Sequence, residues 1–166
     1  MPNPLMNILD DSWQRSIENV RETAQRIWAR PLHRYFTDHT VEHSERIINH
    51  LNGLTAVMMH TDKRLTPIEV YTLLAAAYLH DIGMQNERFA DGDLEMIRDQ
   101  HHSQSAELIY AAFKEPAIAL AIPLKGDPAV AEAVALVSKG HRKVDLNGIE
   151  YDPLYYGDEK LRLRLL

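Results

Sequence analysis

The sequence predicts an all-α domain, and three observations carry that expectation. Apolar residues recur at spacings of three and four along most of the chain. Helix start and stop residues punctuate those stretches. No segment shows the alternation of a half-buried strand, and there is no internal repeat or low-complexity tract. The 166 residues suit one domain around one core. Hydrophobic residues at 45% and charged residues at 25% provide the material for that core and argue against disorder. The reading is a compact bundle of about six helices.

The elements follow in order. Asp10 to Ala29 carries Trp13, Ile17, Val20, Ala24, Ile27 and Trp28 on one helical face, and Pro31 ends it. Thr37 or Asp38 is placed to cap a second helix, with Val41, Ile47, Ile48, Leu51 and Leu54 on its inner side. Thr66-Pro67-Ile68-Glu69 is a strong helix start: Thr as N-cap, Pro in the first turn, Glu at the third position. The helix from Pro67 to about Asp81 is apolar on nearly every side and is expected at the centre of the bundle. Gly83 stands where a left-handed C-terminal residue would go. Gln85 to Glu95 reads as a loop, and a helix is expected from about His101 to Lys114. A Pro-punctuated stretch, Glu115 to Pro128, leads to a buried helix from Ala129 to Lys139, which Gly140 stops. Val144 to Gly157 reads as irregular, and a last helix is expected to begin near Gly157. Its pattern, Leu161-Arg162-Leu163-Arg164-Leu165-Leu166, breaks off without a cap, so the expectation is a longer natural chain. Residues 1–34 form an N-terminal helical segment packed on a domain spanning 35–166.

Composition narrows the chemistry. There are 18 Lys and Arg against 24 Asp and Glu, a formal charge of -6, which disfavours broad binding to a nucleic-acid backbone. The lack of interleaved basic and aromatic residues disfavours single strands as well. With no cysteine, disulfides, thiolate metal sites and cysteine nucleophiles are excluded together. The longest apolar run, Leu73 to Leu79, is too short to span a bilayer, and the N-terminus lacks the features of a signal peptide. The expected location is cytoplasmic.

Nine histidines remain, and any metal here must be held by His and carboxylate. His80-Asp81 is the most informative pair. Seven apolar residues run into two polar ones at a position that should still be buried. An ionised carboxylate there requires a partner such as a metal or an Arg. His39 and His43 lie one helical turn apart, His101 and His102 open the expected fourth helix, and His141 follows a buried helix. His33, His50 and His60 read as surface or hydrogen-bonded residues. His39 reads equally as an orienter of a ligand or as a neighbour of a helix cap.

Glu42-His43-Ser44-Glu45-Arg46-Ile47 and Leu79-His80-Asp81-Ile82-Gly83-Met84 resemble the HD superfamily of metal-dependent phosphohydrolases. Arg98-Asp99-Gln100-His101-His102-Ser103-Gln104-Ser105 and Val137-Ser138-Lys139-Gly140-His141 resemble the further histidine segments of members with a second metal. The resemblance covers about residues 35–166. It implies His43, His80, Asp81, His101 and His141 as metal ligands, with Asp81 able to bridge two ions. His102 replaces His101 if the register shifts by one. A closing Asp is expected on the last helix, and Asp158 stands too early for it.

The implied activity is hydrolysis of a phosphoester by metal-activated water, with one or two ions of Mn, Fe, Ni, Mg or Zn. The implied substrate is a small phosphorylated compound, a nucleotide above all. Asp81, Arg98 and Lys139 are the candidate catalytic residues. Arg142 and Lys143 read either as phosphate-neutralising cations or as solvated surface charge. Two other readings compete. One is a degenerate HD domain that binds a nucleotide or metal, or transmits a signal, within a larger protein. The other is a helical interaction module whose histidines fill polar niches.

Overall fold

The computed structural model describes residues 3–29, 32–33, 40–86, 93–114, 122–125, 127–142 and 153–161. Among them are five α-helices: α1 Asp11–Trp28, α2 Val41–Thr55, α3 Pro67–Leu79, α4 Leu94–Lys114 and α5 Pro128–Lys139. Strands β1 Tyr155–Tyr156 and β2 Glu159–Lys160 form a small antiparallel hairpin. The protein is an all-α bundle.

The central helix is α3. All its residues from Ile68 to Leu79 are buried, and it packs against α1, α2 and α5. Its start is the capping box: Glu69 N–H donates to Thr66 Oγ1, and Thr66 N–H donates to Glu69 Oε2 at 2.9 Å. Glu69, buried at 3% exposure, therefore has a structural task. Around α3, α1 turns Trp13, Ile17, Val20 and Ala24 inward. Asp10 starts α1 by accepting from the backbone N–H of Ser12 and Trp13. Arg21 on α1 pairs with Glu45 on α2 at 2.8 Å. That pair is half exposed, so it orients more than it stabilises. Beyond α3, α5 buries Val130, Val134 and Val137, and α4 packs against α5 and the 3-10 turn Ile82–Gln85.

Several expectations are corrected. Leu54, placed on the inner side of α2, is 79% exposed. The buried face runs through Val41, Ser44, Ile48 and Thr55, and Leu54 points away from it. The fourth helix starts at Leu94 rather than near His101, so Glu95 is helical and His101 sits one-third of the way along it. Asp93 starts it, accepting from Glu95 N–H through its side chain and from Ile97 N–H through its carbonyl. Gly83 is not left-handed, since Gly157 is the only described glycine with positive φ. The expected last helix does not begin at Gly157. Gly157 turns the hairpin with φ of 59°, Asp158 lies exposed in that turn, and Glu159–Lys160 is a strand. The hairpin is held to the bundle by buried Leu154 and Leu161, and Leu161 N–H donates to the Leu154 carbonyl. Thr37, Asp38, His39, Lys143 and residues 162–166 lie outside the described residues.

Candidate metal centre

Five side chains from four segments converge beside the end of α3. His43 comes from the first turn of α2, His80 caps the C-terminus of α3, and Asp81 follows it. His101 comes from α4, and His141 from the turn just after α5. Asp81 is the hub. Its Oδ2 lies 2.8 Å from His80 Nε2 and 3.7 Å from His43 Nε2. Its Oδ1 lies 3.2 Å from His101 Nε2 and 3.3 Å from His141 Nε2. The two latter nitrogens are 3.0 Å apart. Each carboxylate oxygen thus faces its own pair of imidazoles, giving two three-donor groups that share Asp81.

The other ring nitrogens explain why Nε2 faces inward. Nδ1 of His80 donates to the Ala77 carbonyl at 2.9 Å, and Nδ1 of His101 to the Arg98 carbonyl at 2.7 Å. Nδ1 of His141 donates to the Ser138 carbonyl. All three bonds reach back three residues. A carbonyl at Nδ1 places the proton there and leaves the Nε2 lone pair as donor to a cation, the usual arrangement of a metal-binding histidine. Without a cation, neutral rings would hold these lone pairs against one another and against a carboxylate. His80, Asp81 and His101 are all buried, so water does not dilute that repulsion. The donor set fits a divalent ion, with hard or borderline character set by imidazole and carboxylate.

The turn after α3 is what lets α4 come close enough. A Cβ on Gly83 would stand 2.1 Å from the His101 carbonyl oxygen and 2.5 Å from the Ser105 nitrogen. Glycine is required there by close approach. Gly83 N–H then donates to Ser105 Oγ at 2.8 Å, and Asn86 Nδ2 to Gln104 Oε1 at 2.8 Å. These bonds hold the His101 face of α4 onto the His80-Asp81 turn.

A cavity of about 550 Å³ opens over the cluster. Its lining includes the five converging residues, apolar Ile47 and Met84, and the basic residues Arg98 and Arg142. Arg142 is also 3.6 Å from Asp99. Lys139, the third candidate cation, ends α5 and is not part of the lining. His102 lies beside the centre, its ring 6.1 Å from that of His101, and belongs to neither donor group. Burial, reinforced by His101 and His141, pushes its pKa below the usual histidine value. His50 and His60 are exposed and His33 is half-buried, and none of them joins a donor group. Nor does Asp158.

A family model, HD-CE, matches residues 33–166. The chain belongs to the HD-CE family. This is an HD-like domain, and its match begins just ahead of α2 and includes all five converging residues. No curated protein and no solved structure matches the chain. Among the described residues, no helix is long and apolar enough to cross a membrane.

Proposed function

We propose that this HD-CE domain is a metal-dependent phosphohydrolase acting on a small phosphorylated substrate, a nucleotide above all. The observation that carries the reading is Asp81, whose two oxygens each face a separate pair of histidine Nε2 atoms in one cavity. His43, His80, Asp81, His101 and His141 would hold two divalent ions, with the carboxylate as bridge. Such ions supply Lewis acidity to water and to phosphoryl oxygens.

The chain's own residues supply the rest. Arg98 and Arg142 line the same cavity and can take phosphate oxygens by charge-assisted, bidentate hydrogen bonds. Ile47 and Met84 give the non-transferred part of a substrate an apolar wall. The carbonyls of Ala77, Arg98 and Ser138 fix three imidazoles, so the donors do not have to be ordered when substrate arrives. Lys139 is less well placed for phosphate than Arg142.

A phosphoester panel with added Mn²⁺, run on the wild type and on Asp81→Asn, tests the reading. The wild type is expected to hydrolyse at least one nucleotide or aryl phosphate. Asp81→Asn should lose on the order of 10³-fold in kcat/KM, matching several kcal/mol of lost transition-state stabilisation. An unchanged rate in Asp81→Asn would discard the mechanism. Tight metal binding with no turnover of any ester would favour a metal- or nucleotide-binding module instead.

A further inference from the structure

We propose that a second cavity, formed by the N-terminal segment, α2 and α3, binds an uncharged, hydrogen-bond-rich molecule of about nucleoside size. The cavity lies apart from the candidate metal centre, and the inference does not rest on the chemistry proposed there.

The cavity measures about 290 Å³ and is lined by Asn3, Glu45, Ile48, Asn49 and Tyr78. None of these residues lines the cavity over the His and Asp cluster. Helical geometry separates the two. On α2, His43 and Ile47 belong to one cavity and Glu45, Ile48 and Asn49 to the other. On α3, Tyr78 belongs here and the C-capping His80 to the centre.

The polar groups are held in place and still have bonds to make. Arg21 reaches Glu45 through Nε at 2.9 Å and Nη2 at 2.8 Å, both on Oε1. Glu45 Oε2 accepts no hydrogen bond among the described residues. Arg21 also donates to the Tyr78 phenol oxygen. A guanidinium has only N–H donors, so the phenol hydrogen remains available. Asn3 accepts through Oδ1 from the N–H groups of Leu5 and Met6, which leaves its amide hydrogens. The Asn49 amide is exposed and bonds to no described residue. The cavity thus offers one carboxylate oxygen, one phenol hydrogen and two carboxamides beside the buried Ile48.

Charge selects the class of ligand. Glu45 is already offset by Arg21, and no Lys, Arg or His is among the described residues lining the cavity. A phosphate entering here would lose its hydration without gaining a cation of its own, and would face the Glu45 carboxylate. A neutral molecule with an N–H or O–H for Oε2 and acceptors for the phenol and amides meets each group. The volume is at the small end of the roughly 300–1,000 Å³ typical of ligand pockets. It suits a nucleoside or monosaccharide rather than a dinucleotide or peptide.

NMR on the full chain labelled with ¹⁵N-asparagine tests the site, in excess chelator, with adenosine, uridine, glucose and adenosine 5′-monophosphate titrated separately. At least one neutral probe should shift the side-chain amide resonances of Asn3 and Asn49. The Asn86 amide, bonded to Gln104 near the other cavity, should stay in place. The monophosphate should act on Asn3 and Asn49 about 10-fold more weakly than adenosine or not at all. Glu45→Gln and Asn49→Ala should each weaken the neutral probe by about 5–10-fold, read at Asn3. Asn49 is exposed, so its replacement leaves the fold intact, and circular dichroism checks Glu45→Gln. No shift at Asn3 and Asn49 with any neutral probe would overturn the proposal. So would equal affinity for the monophosphate, undiminished binding in both variants, or shifts confined to Asn86.

Discussion

At the scale of single residues, Gly83 and Asp81 carry the site. Asp81 is shared by both donor groups, and under the proposed function its replacement would act on chemistry. Gly83 acts on distance, because its missing Cβ is the space through which α4 approaches the α3 end. Gly83→Ala meets two backbone atoms of α4, and neither can rotate away. It should destabilise the fold by about 1–3 kcal/mol through overpacking and lower metal affinity by displacing His101, both readable by urea unfolding and metal titration. Ser105→Ala keeps the packing but removes the acceptor for the buried Gly83 N–H. That change is expected to cost about 1–3 kcal/mol, with a smaller effect on affinity. If Gly83→Ala bound metal as tightly as the wild type, the close approach would not be what positions His101.

At the scale of elements, α1 and α3 are joined through one phenol. Tyr71 is fully buried on α3, with its hydroxyl 2.8 Å from Ser16 Oγ on α1 and accepting from the Lys125 N–H at 3.0 Å. Trp13 packs edge-on against its ring at 4.5 Å, and the Lys125 ammonium lies 3.9 Å above the Trp13 indole. Burial raises the Tyr71 pKa above its usual value. The unfolded chain thus loses this proton first, near pH 10. The stability Tyr71 contributes is complete below about pH 10 and declines as pH rises from there toward the folded pKa. Tyr71→Phe leaves the Lys125 N–H without its acceptor and should cost about 1–2 kcal/mol near neutral pH. Its further loss of stability between about pH 8 and about pH 10.5 should be smaller than that of the wild type. Denaturant unfolding at the two pH values measures both effects, and equal alkaline losses in the two proteins would show that the Tyr71 phenol does not contribute to them.

At the scale of the whole molecule, the candidate donors come from α2, the end of α3, α4 and the turn after α5, so an ion held there would bind the folded arrangement of four segments. Binding to the native state alone stabilises by about 2.7 kcal/mol at a free-ion concentration of 100 Kd. For a chain of this size that corresponds to a rise in Tm of roughly 5–10 °C. Thermal melts with Mn²⁺ and with excess chelator should differ by that amount in the wild type and hardly at all in Asp81→Asn. An equal shift in Asp81→Asn would place the stabilising ion elsewhere.

The sequence by itself determined the helical bundle. Periodicity found α1, α3 and α5 because their buried faces are apolar, and the capping box at Thr66 is a local device that needs no tertiary partner. The resemblance of their segments to the HD superfamily implied His43, His80, Asp81, His101 and His141 as donors, and the fold brings all five into one cavity. The beginning of α4 was not legible in the same way. Its buried face is Ile97, His101, Gln104 and Ser105, mostly polar because it looks onto the site, so the usual apolar stripe is missing. Asp93 was the available signal for that start. Leu54 and Gly157 failed for a related reason: which face of α2 has a neighbour, and whether the residues after Gly157 pair as strands, depend on packing that spacing does not encode. Only the tertiary structure decided that Asp81 presents one oxygen to each histidine pair and that Arg142 shares the cavity and Lys139 does not. Those are distances between residues far apart in sequence. They follow from how closely α4 can approach the end of α3, and the absent side chain of Gly83 sets that approach.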